Sequence, residues 1–280
     1  MSSFTHHTAP NQFIEADGTR YTYRIFGKKA GLPLVLLQHF TGTLDNWDPK
    51  ITDGLAKHFR VILFDNKGIG ASGGETPDTI RAMAEDAVCF IQALGIKKVN
   101  LLGFSMGGFV AQQIILNAPD LVNKLILAGT GPKGSKDIAG IVKPLTESAS
   151  MSPDEQKLFL FYGSTSTSRI LGQKSLARIN KRTVNRDQDT SPDAIEAQLK
   201  SILSWAEPDA DYLGLLKQIK QQVFVVNGSN DIVVPTINSY VLFQNLPNAR
   251  LSLYPDSGHG SIFQFPALFL SEAVPFLKTN

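Results

Sequence analysis

Five short apolar runs, separated by helical segments, limit this chain to few architectures. The runs occupy residues 34–37, 61–64, 99–102, 125–128 and 223–226. Runs of this length are typical of strands that are buried on both faces, as in a parallel sheet. Helical patterns fill residues 77–94 and 106–117 between them. The alternation predicts an α/β fold, in which a mostly parallel sheet carries helices on both faces.

A hairpin precedes the first of these runs. Residues 13–16 and 21–26 flank Asp17-Gly18, a dipeptide that supplies the positive φ angles of a tight turn. Apolar and polar residues alternate after the turn, which is the period of a strand. The hairpin therefore adds antiparallel edge strands to the predicted sheet.

The alternation of strands and helices is interrupted over residues 133–220, which contain no clear buried strand. Ser152 and Ser191 are each followed by a proline, which is the pattern of an N-cap and a first helical residue. We expect helices over residues 155–162, 176–183 and 194–205. A stretch this long is more than a loop, so it should form a helical cap, or lid.

The strand pattern resumes after this stretch. A strand is expected at residues 223–226, another at residues 250–254, and a final helix over residues 262–278. The sequence therefore predicts an α/β core formed by residues 1–132 and 221–280, with the cap of residues 133–220 inserted into it.

Charge and apolar content exclude several classes of protein. The formal net charge is +2, and no run of five basic residues occurs, so we expect no nucleic-acid partner and no membrane-surface role. The apolar runs are far too short to cross a membrane, and the first residues lack the pattern of a signal peptide. We expect a cytoplasmic protein, with His6 and His7 in a frayed N-terminal end.

Cysteine and histidine content argues against disulfides and metal sites. Cys89 is the single cysteine, so no internal disulfide can form. Its apolar, helical surroundings indicate a buried small residue. The histidines are scattered along the sequence, and no group of them has the spacing of metal ligands. We expect no metal ion.

The sequence Gly103-Phe-Ser105-Met-Gly107 carries the strongest chemical signal. It has the form G-x-S-x-G, follows a predicted buried strand and opens a predicted helix, which is the context of a nucleophile elbow. A serine on such a strained turn projects its hydroxyl outward, and glycines two residues away let the neighbouring backbone pass closely. We predict Ser105 as a nucleophile, with Gly103 and Gly107 as the elbow glycines.

A nucleophilic serine needs a base, and His259 is the best placed histidine. It lies between Gly258 and Gly260, after the last predicted strand, and sites in parallel sheets lie beyond the carboxyl ends of the strands. His58 lies at the end of a predicted helix, where a cation suits the helix dipole. We expect His39 to face outward or to be structurally bonded, and a position lining the cleft is the alternative.

Asp231 is the predicted third member, because it directly follows the strand at residues 223–226. A carboxylate in this role holds the imidazole in the correct tautomer. Asp256 is a rival, but we expect it to cap its own loop. Asp65 is another, and we expect it to bind the backbone of its own turn.

Four segments, in place and in order, resemble the α/β-hydrolase family. They are residues 64–72, 103–108, 227–231 and 257–259. The order Ser105, Asp231, His259 is also the order of that family. The resemblance is to its esterase, lactonase and cofactor-free haloperoxidase branch. It implies a mostly parallel sheet of the eight-stranded type, with helices on both faces and an inserted helical lid.

The resemblance also implies an oxyanion hole made of two backbone N–H groups. Met106, directly after the nucleophile, should supply one of them. Family members usually carry His-Gly after the third strand, and this chain has Gln38-His39 there. Phe40 then falls at the residue that supplies the second N–H. The missing glycine is a departure that changes the local backbone.

These residues predict a serine hydrolase that cleaves a small or medium, partly apolar carboxylic ester or lactone through an acyl-enzyme. No metal or organic cofactor is required, and the protein is expected to be a monomer or a homodimer. Three alternatives stay open. The same triad can transfer an acyl group to peroxide, as in perhydrolases. The chain can also be a non-enzymatic receptor for a small ligand, or a pseudo-enzyme or scaffold.

Overall fold

The computed structural model describes residues 4–279. Its strands are β1 (Gln12–Ala16), β2 (Thr19–Gly27), β3 (Leu34–Leu37), β4 (Arg60–Phe64), β5 (Val99–Phe104), β6 (Val122–Ala128), β7 (Gln222–Gly228) and β8 (Ala249–Tyr254). Its helices are α1 (Pro49–Ala56), α2 (Ile80–Ala93), α3 (Met106–Asn117), α4 (Val142–Ser148), α5 (Pro153–Phe161), α6 (Ser166–Ile179), α7 (Pro192–Ala206), α8 (Tyr212–Leu216), α9 (Ile237–Asn245), α10 (Ser261–Gln264) and α11 (Pro266–Lys278).

The strands form one eight-stranded sheet in the order β1-β2-β4-β3-β5-β6-β7-β8. The pairs β1·β2 and β2·β4 are antiparallel, and the pairs from β4·β3 to β7·β8 are parallel. Asp17 and Gly18 have φ angles of 46° and 69° in the turn between β1 and β2. The predicted α/β fold, with its mostly parallel sheet and antiparallel edge, is confirmed.

The central strands are apolar along their whole length because both faces of the sheet are covered. On β3, Val35 and Leu37 pack into the core beneath α2 and α3. Leu34 and Leu36 pack into the opposite core, beneath α1 and α11. Strands with this double burial have no solvent-facing side that would need polar residues.

The helices α4 to α8 lie between β6 and β7, and we call this stretch the inserted segment. The Ser152 hydroxyl accepts a hydrogen bond from the Glu155 N–H, and Ser191 caps α7 in the same way through Ala194. Both predicted N-caps therefore begin helices, α5 and α7. The helix predicted from residue 176 is longer, because α6 already begins at Ser166 under the Thr165 cap.

The C-terminal helical region differs from the prediction of one helix over residues 262–278. It consists of α10 and α11, and the chain leaves the helical conformation at Phe265 (φ −118°, ψ 56°). Pro266 explains the break, because a proline disfavours the α conformation in the residue before it.

The prediction that His6 lies in a frayed end is wrong. His6 is 1 % exposed, its backbone N–H donates to Asp53 Oδ1 at 2.7 Å, and its Nδ1 lies 3.0 Å from the Thr52 hydroxyl. The guanidinium of Arg182, from the inserted segment, donates to the carbonyl of His7 at 2.8 Å. These tertiary contacts fix a segment whose own composition is that of a mobile tail.

Candidate active site

Ser105 occupies the sharp turn between β5 and α3. Its φ and ψ angles are 56° and −122°, a strained region for a residue with a side chain. Its backbone N–H donates to the Ala128 carbonyl on the neighbouring strand at 2.9 Å, and its carbonyl accepts from the Gly108 N–H at 2.8 Å. Both backbone bonds hold the strained turn in place.

The glycines around Ser105 allow backbone segments to touch. A Cβ on Gly103 would lie 2.4 Å from the Gly107 carbonyl oxygen. A Cβ on Gly107 would lie 2.1 Å from the Leu37 carbonyl oxygen at the end of β3. Any side chain at either position would therefore push the turn away from the neighbouring backbone.

Asp231 and His259 form a buried pair beyond the ends of β7 and β8. Asp231 Oδ2 lies 2.8 Å from His259 Nδ1, and Asp231 Oδ1 accepts hydrogen bonds from the N–H groups of Val233 and Val234 at 2.8 and 2.9 Å. Because a carboxylate only accepts hydrogen bonds, His259 Nδ1 carries the proton in this pair. The other ring nitrogen, Nε2, is then the basic one.

Ser105 and His259 line the same cavity, which has a volume of about 480 Å³. Two contacts bring their segments together. The Phe104 ring lies 5.0 Å from the His259 ring, centroid to centroid. Gly129, the residue after Ala128, lies against His259, where a Cβ would be 3.2 Å from Nδ1. The Ser105 hydroxyl has no hydrogen-bond partner among residues 4–279.

Of the two predicted oxyanion donors, one lines the cavity and the other directly follows Ser105 in the chain. Phe40 follows β3 and lines the cavity, and Met106 is the first residue of α3. Within residues 4–279, no protein hydrogen bond uses the backbone N–H of Phe40 or of Met106. Free N–H groups at the start of a helix can bind developing negative charge.

The Gln38 side chain holds the loop after β3 in place. Gln38 Nε2 donates to the Thr43 carbonyl at 2.7 Å, and Gln38 Oε1 accepts from the His39 N–H at 3.0 Å. Gly42 closes over this side chain, since a Cβ there would lie 2.4 Å from Gln38 Cγ. The amide therefore braces the loop from within.

His39 lines the cavity together with Ser105, so the prediction that it faces away from the cleft is wrong. It is also structurally bonded, as expected, because Nδ1 donates to the Phe40 carbonyl at 2.7 Å. Burial lowers the pKa of His39 to about 3, so the ring is neutral at ordinary pH. The sequence carries no signal for this placement beyond its position next to Phe40.

Asp256 and Asp65, the two other candidates for the third member, form hydrogen bonds away from His259. Both oxygens of Asp256 accept from the Thr165 hydroxyl, at 2.9 and 2.7 Å, so this residue binds the inserted segment rather than its own loop. Asp65 Oδ1 accepts from the Leu44 N–H at 2.7 Å. The turn that follows Asp65 is closed by backbone bonds instead, such as the one from the Gly68 N–H to the Gly73 carbonyl at 2.9 Å. The Asp65 carboxylate therefore binds a different loop, not its own turn as expected.

The inserted segment supplies most of the apolar wall of the cavity. Leu145, Leu160, Phe161 and Leu199 are among its contributions. The Phe161 carbonyl also accepts a hydrogen bond from the Gly260 N–H at 2.7 Å. The Trp205 ring, in contrast, stacks on a phenylalanine of the core. Through the Phe161 carbonyl, the inserted segment is therefore bound directly to the loop that carries His259.

The described residues contain neither a candidate metal site nor a candidate membrane-spanning helix. Within residues 4–279, no group of histidine, cysteine, aspartate and glutamate side chains has the arrangement of metal ligands. Of the helices in the same range, none combines the length and the apolar composition needed to cross a bilayer.

Comparisons with known proteins agree with this architecture. A structure of an alpha/beta hydrolase fold protein from Chitinophaga pinensis is 46 % identical, covers 99 % of this chain and 100 % of its own, and superposes with a TM-score of 0.96. An esterase from Exiguobacterium antarcticum is 25 % identical over 96 % of this chain and 100 % of its own, with a TM-score of 0.75.

A curated relative gives the same result at the level of sequence. The pimeloyl-[acyl-carrier protein] methyl ester esterase of Nitrosomonas europaea is 27 % identical over 251 residues, which are 86 % of this chain and 94 % of the relative. The family model of the alpha/beta hydrolase fold matches residues 33–266. The chain therefore belongs to the alpha/beta hydrolase fold family.

Proposed function

We propose that this protein is a serine hydrolase that cleaves a carboxylic ester or a lactone through an acyl-enzyme. Ser105 is the nucleophile, His259 the base and Asp231 the residue that orients the base. The observation that carries the proposal is the 2.8 Å contact between Asp231 Oδ2 and His259 Nδ1. This contact leaves Nε2 as the basic nitrogen of His259. His259 lines the same cavity as Ser105, whose hydroxyl has no hydrogen-bond partner within residues 4–279.

In the first half-reaction, Ser105 Oγ attacks the substrate carbonyl carbon and His259 Nε2 takes the hydroxyl proton. The tetrahedral oxyanion accepts hydrogen bonds from the N–H groups of Phe40 and Met106. The carbonyl re-forms as the bond to the leaving oxygen breaks, and that oxygen takes the proton from Nε2. An ester releases its alcohol, whereas a lactone keeps it tethered to the acyl group.

In the second half-reaction, water replaces the alcohol. His259 Nε2 takes a proton from the water as its oxygen attacks the acyl carbon, and then returns a proton to Ser105 Oγ. The carboxylic acid leaves, and the serine is restored. The nucleophile, the base and the oxyanion donors that these two half-reactions use are all residues of this chain.

The cavity supports a substrate with an apolar acyl part. Its volume of about 480 Å³ and its leucine and phenylalanine walls suit a small or medium ligand. We further propose that residues 133–220 act as a cap over a core of residues 1–132 and 221–280, because the Phe161 carbonyl binds the Gly260 N–H beside His259. Two of the three proteins compared above, those from Nitrosomonas europaea and Exiguobacterium antarcticum, are esterases, which favours ester chemistry.

Hydrolysis of p-nitrophenyl butyrate by the wild type and by Ser105→Ala tests the proposal. The wild type should release p-nitrophenol steadily, and the variant should be slower by about ten-thousandfold or more with an unchanged circular dichroism spectrum. A variant within about tenfold of the wild type would remove Ser105 from the mechanism. Ligand binding without turnover by the wild type would favour a receptor instead.

A further inference from the structure

We propose that the cavity accepts an ester whose acyl chain ends in a carboxylate, and that the ammonium group of Lys157 binds this carboxylate. The inference rests on the proposed hydrolase function and specifies its substrate class. The substrate would be a monoester of a dicarboxylic acid, with an apolar chain between the reacting carbonyl and the anionic end.

Among residues 4–279, Lys157 is the one lysine, arginine, aspartate or glutamate side chain that lines the cavity. It lies on α5 and is half-buried. Leu160 and Phe161, from the same helix, line the same cavity. The three residues share one face of α5, so the lysine stands within an otherwise apolar wall.

The Lys157 ammonium has no carboxylate partner among residues 4–279. The acidic residues of the same helix are bound elsewhere: Glu155 accepts from the Ser152 N–H at 3.0 Å, and Asp154 contacts the Asn180 amide. A partly desolvated cation without a counter-ion is best satisfied by an anionic ligand.

Two polar side chains of the inserted segment that also line the cavity already make hydrogen bonds within the protein. The Thr146 hydroxyl donates to the Val142 carbonyl at 2.8 Å, and Gln156 Nε2 donates to the Ser148 hydroxyl at 3.3 Å. Neither group supplies a charge for a ligand. Lys157 is therefore the side chain that can distinguish an anionic acyl chain from a neutral one.

Lys157 also lies at a useful position relative to the reacting groups. It precedes Phe161 by one helical turn, about 6 Å along the axis, and the Phe161 carbonyl binds the Gly260 N–H next to His259. Its positive charge adds to burial in lowering the pKa of His39, which lines the cavity beside Ser105. An acyl chain that starts at Ser105 can thus end at Lys157.

The test compares p-nitrophenyl monoesters of dicarboxylic acids of increasing length with neutral p-nitrophenyl alkanoates of the same lengths. The wild type should prefer the anionic ester at one chain length. In Lys157→Ala, the ratio of kcat/KM for the anionic ester to that for the neutral ester should fall about tenfold, mainly through KM. Lys157→Arg should keep most of the preference, and added salt should weaken it.

Lys174→Ala is the matched control. Lys174 lies on α6 of the inserted segment, is exposed and does not line the cavity, and its removal changes the net charge equally. The ratio should stay at the wild-type value in this variant. Equal ratios in the wild type, Lys157→Ala and Lys174→Ala would overturn the proposal, and so would equal losses in both variants.

Binding to Ser105→Ala separates this inference from the proposed function. Calorimetry with the same series of anionic monoesters measures the contact with Lys157 without turnover. Binding that weakens about tenfold in Ser105→Ala/Lys157→Ala supports the carboxylate site, even if the wild type hydrolyses nothing. Unchanged binding in the double variant would overturn it, even if the wild type is an active esterase.

Discussion

The Gln198 side chain accepts a hydrogen bond of 2.7 Å from the backbone N–H of Thr41. Gln198 is a buried residue of α7. Thr41 has a φ angle of 61° and directly follows Phe40, the proposed oxyanion donor. A residue with a side chain keeps such an angle only where its surroundings hold it. The inserted segment therefore braces the loop that carries the Phe40 N–H.

Gln198→Ala should lower kcat for p-nitrophenyl butyrate by about tenfold or more, because the Phe40 N–H loses its fixed position. KM should change less, since the apolar walls of the cavity stay in place. Steady-state kinetics measure both values. Gln198→Glu keeps an acceptor oxygen at the site and should recover part of the lost activity. Full activity in a folded Gln198→Ala protein would show that the loop needs no such brace.

Asp231→Asn should lower kcat by about ten-thousandfold while the protein stays folded. The amide oxygen can still accept from the N–H groups of Val233 and Val234, so the loop is kept. The amide nitrogen then donates to His259 Nδ1, which moves the ring proton to Nε2 and removes the base. Kinetics and the melting temperature are measured together. A loss below about tenfold would mean that Asp231 does not orient the histidine.

Gly107→Ala should destabilise the fold by about 1–3 kcal/mol and also inactivate the enzyme. The added Cβ would meet the Leu37 carbonyl oxygen at 2.1 Å, so the turn that carries Ser105 must move. Urea denaturation measures the free energy of unfolding. Gly140→Ala is the control, because a Cβ at Gly140 meets no atom within 4 Å. Equal stability of the two variants would contradict the steric account.

Acid should destabilise the protein through His6. Burial, with Arg24 as the next cause, lowers the pKa of His6 from its usual 6.5 to about 3. Between these two values the unfolded chain binds a proton at this residue and the folded chain does not. The free energy of unfolding therefore falls as the pH falls from about 6.5 to about 3. Urea denaturation at several pH values in this window measures the slope.

His6→Asn removes the titrating ring. The slope of the free energy of unfolding against pH should become shallower by up to the amount that one bound proton contributes. His39 titrates in the same direction, so part of the acid sensitivity should persist. His58→Asn replaces a more exposed ring and should change the slope less. An identical slope in the wild type and in His6→Asn would contradict the burial of a neutral His6.

The sheet could be predicted from sequence because both of its faces are buried. Residues of β3 such as Val35 and Leu36 must be apolar on either side, so the run itself marks the strand. The first residue of helix α6 is harder to predict. Its first turns are rich in serine and threonine, and they carry no apolar period from which a helix could be inferred.

For the candidate site, local signals placed some residues and tertiary contacts placed the others. Ser105 lies in a motif whose glycines have a steric cause, so the pattern is visible in the chain. The burial of His6 depends on Thr52 and Asp53, far along the sequence. The cavity position of His39 likewise follows from the fold of the loop after β3, which no local pattern encodes.

Covalent labelling tests the central claim most directly. An alkyl fluorophosphonate should inactivate the wild type, and peptide mapping by mass spectrometry should find one phosphonyl group on Ser105, because the proposed mechanism makes its hydroxyl the one that His259 activates. Heat-denatured protein should take up no label. Labelling of another residue, or an active enzyme that resists the reagent entirely, would contradict the account.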